Sequence, residues 1–279
     1  MDITELIEKY QAGERDFRDL DLVMAHLEGI NLSEANLRDC DLREANLTGA
    51  ILTGVNLREA NLAGAKLNAI DLRQANLIAA NLSRANLSEA DLTSVNLSRA
   101  NLERGNLQKA NLQHCIANET RFRLSNLSGT NCRNSNLSRA IFIDADLTGA
   151  MLESANLSIA IMTGANLTKV NLTNAILNGV NLSNAKLIEA DLSRANLSGS
   201  NLAKADLTKA QLRGTNISWT TMRGANLEGC SLYRANLSWS NLTEANLNQA
   251  ILIDTNLYQA NLRDTKMVKT VLPNGIVNT

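Results

Sequence analysis

The chain has 279 residues, 44% of them apolar but only 3% aromatic, with one proline, Pro273, and a formal net charge of −1 from 27 basic and 28 acidic side chains. So balanced a charge argues against a polyelectrolyte partner such as nucleic acid, and so few aromatics are foreign to a globular enzyme. No run approaches the roughly 18 apolar residues of a membrane helix and no signal peptide precedes the repeats, so a soluble, cytoplasmic protein of one elongated domain is expected.

Residues 2–12 read as a short amphipathic helix. Asp2 with Glu5 three places on forms an N-cap pair, and Ile3, Leu6, Ile7 and Tyr10 share one face. From Phe17 to Leu272 the character changes. A large apolar residue falls at every position ending in 2 or 7, through 52 pentads without insertion or deletion, and 43 of these residues are Leu. The exceptions are Phe17, Ala117, Phe122, Cys132, Phe142, Met162, Ile217, Met222 and Met267. A second column, at positions ending in 0 or 5, is almost always Ala, Val, Cys, Ser or Thr.

Five suits neither regular element. A helix turns about 100° per residue, so a Leu at every fifth place smears over all faces. In a straight strand residues i and i+5 point to opposite sides. The pattern works only if the chain bends once per pentad, with the small residue and the Leu inward, the residue between them outward and the last two at the corner. Of the 15 glycines, 12 occupy the fifth place, where a tight turn wants φ > 0. Columns twenty residues apart, such as Asn36, Asn56, Asn76 and Asn96, predict four pentads per coil and hence about 13 coils, each touching only its neighbours.

Unbroken tandem Ala-(Asp/Asn)-Leu-x-x, as in Ala155-Asn156-Leu157-Ser158-Ile159, resembles the pentapeptide-repeat family. The resemblance covers about nine-tenths of the chain. It implies an all-β fold, a right-handed quadrilateral parallel β-helix over residues 15–272, with a capping α-helix at 1–14 and a C-terminal cap or tail at 273–279. The run Tyr10-Gln11-Ala12-Gly13-Glu14-Arg15-Asp16-Phe17 is similar to the N-terminal cap of cyanobacterial members, including those of heterocyst differentiation. Because the motif residues are core, with Leu157, Leu167, Leu172, Phe122 and Phe142 expected inside, the motif specifies a fold and little about function.

Along the pentads the outer second position is mostly Asn or Asp, whose side chains can ladder between coils. Arg18, Arg38 and Arg58 precede Asp19, Asp39 and Glu59 and are expected to pair with them. Segment 115–142 is irregular: Ala117 and Cys132 replace Leu, Phe122 restores volume, Phe142 is expected to stack beneath it, and Thr120, Ser125, Thr130 and Ser135 fill the small column. It overlaps a basic belt of Arg99, Arg104, Lys109, Arg121, Arg123, Arg133 and Arg139, whereas residues 1–60 carry 6 basic and 13 acidic side chains. Arg121 and Arg123 are therefore candidates for docking an acidic partner, against the plainer reading of a solvated surface over a repacked coil. Ile141, Met151, Ile161, Ile176 and Ile251 make outer positions apolar, with Ile141 and Ile161 in one column.

Trp219 and Trp239 occupy the same corner of successive coils, with Arg223 near and Tyr233 and Tyr258 on other parts of those coils. Trp, Tyr and Arg are the residue types enriched at binding hot spots, so all five are candidate partner-binding residues. Leu272-Pro273-Asn274-Gly275 reads as a stop and turn that lets Ile276 and Val277 fold over the last coil.

Cys40, Cys115 and Cys230 sit in the small column and Cys132 in the large one, without zinc-ligand spacing, so buried reduced thiols are expected. His26 and His114 lie about four coils apart, and no phosphate loop or nucleophile signature is present. Catalysis, cofactors, metals, a small-molecule substrate and membrane association are not expected. The expected function is a non-catalytic protein-binding scaffold, a monomer rather than a dimer because both ends look capped, and the resemblance adds a regulatory role in a cyanobacterium. The alternative that the resemblance implies is a DNA mimic that binds DNA gyrase or another type II topoisomerase, as fluoroquinolone-resistance members do. That role wants a strongly acidic rod, and both the charge of −1 and the basic belt count against it.

Overall fold

The computed structural model describes residues 3–278; Asp2, the expected N-cap, and Thr279, the last residue of the expected tail, lie outside them. Two compact units make up the chain, Met1–Asn136 and Leu137–Thr279. The first opens with helix α1, Ile3–Gln11, whose Leu6 is fully buried. An i,i+4 pair joins Lys9 to Glu5 at 2.9 Å, and the Tyr10 hydroxyl donates to the Ser33 carbonyl at 3.0 Å, tying the helix to the coils. The helix ends at Gly13, where φ of +99° turns the chain and the Glu14 N–H returns to the Lys9 carbonyl.

In both units the pentads repeat one arrangement. The residue before each Leu makes a parallel bridge to the residue twenty places on, as in Asn36 to Asn56 and Asn196 to Asn216. Four pentads therefore complete a coil. Among the described residues pairing never extends into a longer strand, because the chain bends after each bridge.

The pentad Asn56–Ala60 shows how every backbone donor is satisfied. The Asn56 N–H reaches the Ala35 carbonyl of the preceding coil at 2.9 Å, and the Leu57 and Glu59 N–H groups reach Asn76 and Ile78 of the next at 2.7 and 3.0 Å. The Ala60 N–H closes the turn on the Leu57 carbonyl at 3.1 Å. The remaining donor, Arg58 N–H, goes to the Asn56 side-chain oxygen at 3.2 Å. An Asx turn is thus built into corners that carry Asn or Asp in this column, which explains those residues as fully as laddering does. The ladder is present too: the Asn56 amide donates to the Asn36 oxygen at 3.2 Å.

Every residue ending in 4 or 9 from Asp19 to Lys269 has φ between +53° and +71°. The glycines of the sequence marked a corner that ordinary side chains also occupy, including β-branched Ile159 at +60°. Leu157, Leu167, Leu172, Phe122 and Phe142 are all fully buried, each in its own unit.

Segment 115–136 shows no break in the first unit. The bridge from Ile116 to Asn136 keeps register, and Ala117, Phe122 and Cys132 are buried. Its buried hydroxyls are bonded: Thr120 donates to the Leu97 carbonyl of the preceding coil at 2.7 Å, while Ser125, Thr130 and Ser135 close on carbonyls of their own turns at 2.6 to 2.8 Å. In the second unit the chain turns back after Pro273. Val271 and Val277 pair antiparallel, and the Leu272 N–H donates to the Ile276 carbonyl at 2.8 Å. The tail covers the last coil with backbone, whereas the Ile276 and Val277 side chains stay exposed.

Candidate functional site

Trp219 and Trp239 sit at corner positions with φ of +59° and +61°, which throw their side chains out of the coils. The rings stack with centroids 5.1 Å apart and planes 5° from parallel. The Trp239 N–H donates to the Tyr258 carbonyl at 2.9 Å, and that rung carries the Tyr258 ring edge-on against Trp239, 5.8 Å away at 79°. Tyr258 thus belongs to the corner, a correction to its expected place elsewhere on the coil. Corners bond to the residue nineteen places on, an offset that a search for twenty-residue columns misses. Trp219, Trp239 and Tyr258 are 65%, 47% and 63% exposed, so the ladder stands in water. The corner one coil before Trp219 is Gly199, with nothing within 4 Å of where its Cβ would be, and no side chain there shields the indole.

The other two candidates lie apart from the ladder. Arg223 pairs with Glu244 at 3.0 Å and lines a shallow hollow with Ala203, Lys204 and Gly224. Tyr233 lies between the guanidinium groups of Arg213 and Arg234, at 5.2 and 4.9 Å from its ring centroid.

In the first unit Arg121 and Arg123 are both exposed. Arg123 joins Arg43, Glu44, Arg84, Glu103 and Arg104 around an open hollow of about 500 Å³ floored by Ala63, Gly64, Ser83 and Asn101. Arg121 bridges Asn101 through its backbone but is not part of that lining. Arg43 forks the Asp41 carboxylate at 2.6 to 2.9 Å, and this hydrogen-bonded guanidinium holds the Asp41 carboxyl below its ordinary range.

The same geometry corrects one expected pair. Arg18 bonds Asp16, two residues back, at 2.8 Å and not Asp19. Where the second position is Asn the arginine turns forward instead, as Arg38 does to Asp39 at 2.9 Å and Arg58 to Glu59 at 3.0 Å. The Arg38 contact is an ion pair without hydrogen-bond alignment, since its Nε has no hydrogen-bond partner.

All four cysteines are free and buried. Cys40 and Cys230 donate to the Phe17 and Leu207 carbonyls of the preceding coils at 3.0 and 2.8 Å. Burial pushes the Cys40 thiol up to about 11, those of Cys132 and Cys230 up to about 12, and that of Cys115 well above the usual range. Among the described residues no group of three or more His, Cys, Asp or Glu is placed to hold a metal ion. The carboxyls that are displaced, Asp16, Asp41 and Asp71 by arginine hydrogen bonds and Glu28 by its own backbone N–H, all move down, away from the poise of a general acid at neutral pH.

The pentapeptide-repeat profile matches this chain in overlapping stretches from residue 16 to residue 267. No curated protein matches it. Among solved structures the chain is similar to HetL, a pentapeptide repeat protein involved in heterocyst differentiation regulation from the cyanobacterium Nostoc sp. strain PCC 7120, with 30% identity over 100% of both chains and a TM-score of 0.42. It is also similar to a trypsin-treated variant of QnrB1, a plasmid-mediated fluoroquinolone resistance protein, with 20% identity over 61% of this chain and 88% of the other and a TM-score of 0.52. At that identity the second likeness is one of fold, the pentapeptide-repeat β-helix. With the profile running through nearly every pentad, and each coil bridged at twenty residues, the chain belongs to the pentapeptide-repeat family.

Proposed function

We propose that this protein is a non-catalytic scaffold that binds another protein through its outer columns. The observation that carries this reading is the ladder of Trp219, Trp239 and Tyr258, three large rings held in water by a rigid corner. Ring stacking contributes only about 0.5–1.5 kcal/mol per pair, and roughly half or more of each ring's surface is still in water, so the ladder gains most when covered. The finer reading of the fold belongs here as well: a right-handed winding, about 13 four-pentad coils and α1 as the cap of the first. By likeness to HetL, which is involved in heterocyst differentiation regulation, a regulatory role in a cyanobacterium is part of the proposal, with a cytoplasmic monomer as the working form.

A DNA mimic acting on gyrase has weaker support, because the likeness to QnrB1 is one of fold and the hollow described above presents arginines where a mimic needs acids. Partner capture from a cyanobacterial extract tests the main reading. Wild type should retain a partner that Trp219→Ala/Trp239→Ala loses, and equal retention would move the site elsewhere.

A further inference from the structure

Five arginines of the first unit spend their charge on a nearby acid. Arg18, Arg43 and Arg73 pair two residues back with Asp16, Asp41 and Asp71, and Arg38 and Arg58 pair one residue on with Asp39 and Glu59. Arg84, Arg104 and Arg123 do not: like Arg99 and Arg121 they have no ion-pair or side-chain hydrogen-bond partner among the described residues, and unlike those two they line one hollow. Their placement is also unfavourable for the fold alone. Arg84 and Arg104 occupy the same corner of successive coils, so like charges stand one rung apart, an arrangement that destabilises a ladder. The Arg104 N–H donates to the Arg123 carbonyl at 2.9 Å, which sets the third guanidinium on the adjoining rung.

Beside these cations the outer columns shrink to Ala63, Gly64 and Ser83, and the result is the hollow of about 500 Å³. Its far wall is Arg43, already occupied by Asp41, and Glu44, whose Cγ lies 3.3 Å from where a Gly64 Cβ would be. The unspent positive charge is therefore concentrated on one wall, over a floor low enough for a backbone to approach. Glu44 and Glu103 interrupt the basic lining, and no aromatic ring lines it. A single strand of nucleic acid would find nothing there on which to stack its bases.

We propose that this hollow is a docking site for an acidic segment of a protein partner, whose Asp or Glu carboxylates are forked by Arg84, Arg104 and Arg123 while its extended backbone crosses Ala63, Gly64 and Ser83. The proposal rests on the scaffold reading and supplies the partner's chemistry. Fluorescence anisotropy of the full chain with a labelled decaglutamate peptide tests it, with decaglutamine as the uncharged control. Decaglutamate should bind saturably, lose affinity as salt rises, and bind at least about tenfold more weakly to Arg84→Gln/Arg104→Gln. Arg263→Gln, which removes an arginine already paired with Asp264, should leave binding unchanged. All three sites are exposed on corners or outer columns, and equal melting temperatures will show that the variants fold.

Equal affinity of wild type and the double variant, no preference over decaglutamine, or tighter binding of a single-stranded oligonucleotide of equal charge would each overturn the proposal. If decaglutamate fails while partner capture still depends on Trp219 and Trp239, the acidic site falls and the scaffold reading stands. If capture survives Trp219→Ala/Trp239→Ala but is lost from Arg84→Gln/Arg104→Gln and decaglutamate behaves as expected, the aromatic site falls alone.

Discussion

Asn81 shows what an outer asparagine does within its pentad. Its Oδ1 accepts the Ser83 N–H at 3.2 Å while its amide donates to the Asn61 oxygen at 3.0 Å, so one side chain closes a turn and joins two coils. Asn81→Leu should strand the Ser83 donor and cost about 1–3 kcal/mol in urea denaturation, and Asn81→Asp, which keeps the acceptor, should cost less. Equal losses would contradict the Asx role. The cysteines give a second residue-scale test. Burial raises the thiols of Cys40, Cys132 and Cys230 to about 11, 12 and 12, against an ordinary value of about 8.5. As pH climbs the unfolded chain ionises first, so this contribution is complete below about pH 8.5 and is lost as pH rises through the folded values. Melting temperature should therefore fall between about pH 9 and pH 11, and Cys230→Ala should make the fall shallower. At pH 8 a thiol reagent should find the native chain inert and, in denaturant, all four thiols. Burial of the cysteines was legible from their columns; the Asx bond was not, because the column shows which residue recurs and not which of its atoms bonds where.

At the scale of the coil, the inward Leu is the element's stability. Leu167 is fully buried, its N–H donating to the Lys186 carbonyl of the next coil at 2.6 Å. Leu167→Ala should cost about 2–5 kcal/mol and Leu167→Asp more, by leaving a carboxylate unpaired among apolar neighbours. A melting temperature unchanged by Leu167→Asp would refute the inward column. The coil and its corners could be read from the period of five alone. What could not be read is where outer side chains meet, since corner backbones bond at an offset of nineteen while bridges run at twenty. That single residue displaced Tyr258 from its true place beside Trp239. Likewise Arg18 follows Asp16 and not Asp19, because the two-residue spacing matches the guanidinium's reach back across the corner. In the first-unit part of segment 115–142, Thr120 and its neighbours satisfy their hydroxyls on carbonyls within reach and the backbone keeps register, as a repacked coil requires.

For the whole molecule, a net charge of −1 conceals an uneven distribution of features. The first unit holds the hollow lined by Arg84, Arg104 and Arg123, and the second holds the aromatic ladder. Both stand on outer columns, while the inner columns carry the repeat by which the family is recognised. The repeat therefore specifies the fold and leaves the activity to be read from side chains outside it. If these outer residues recruit a protein and do not support the fold, Trp219→Ala/Trp239→Ala should lose the partner in quantitative capture while its melting temperature stays within a few degrees of wild type, as expected for one stacked pair of about 1 kcal/mol. Undiminished capture by the double variant would contradict that recruitment.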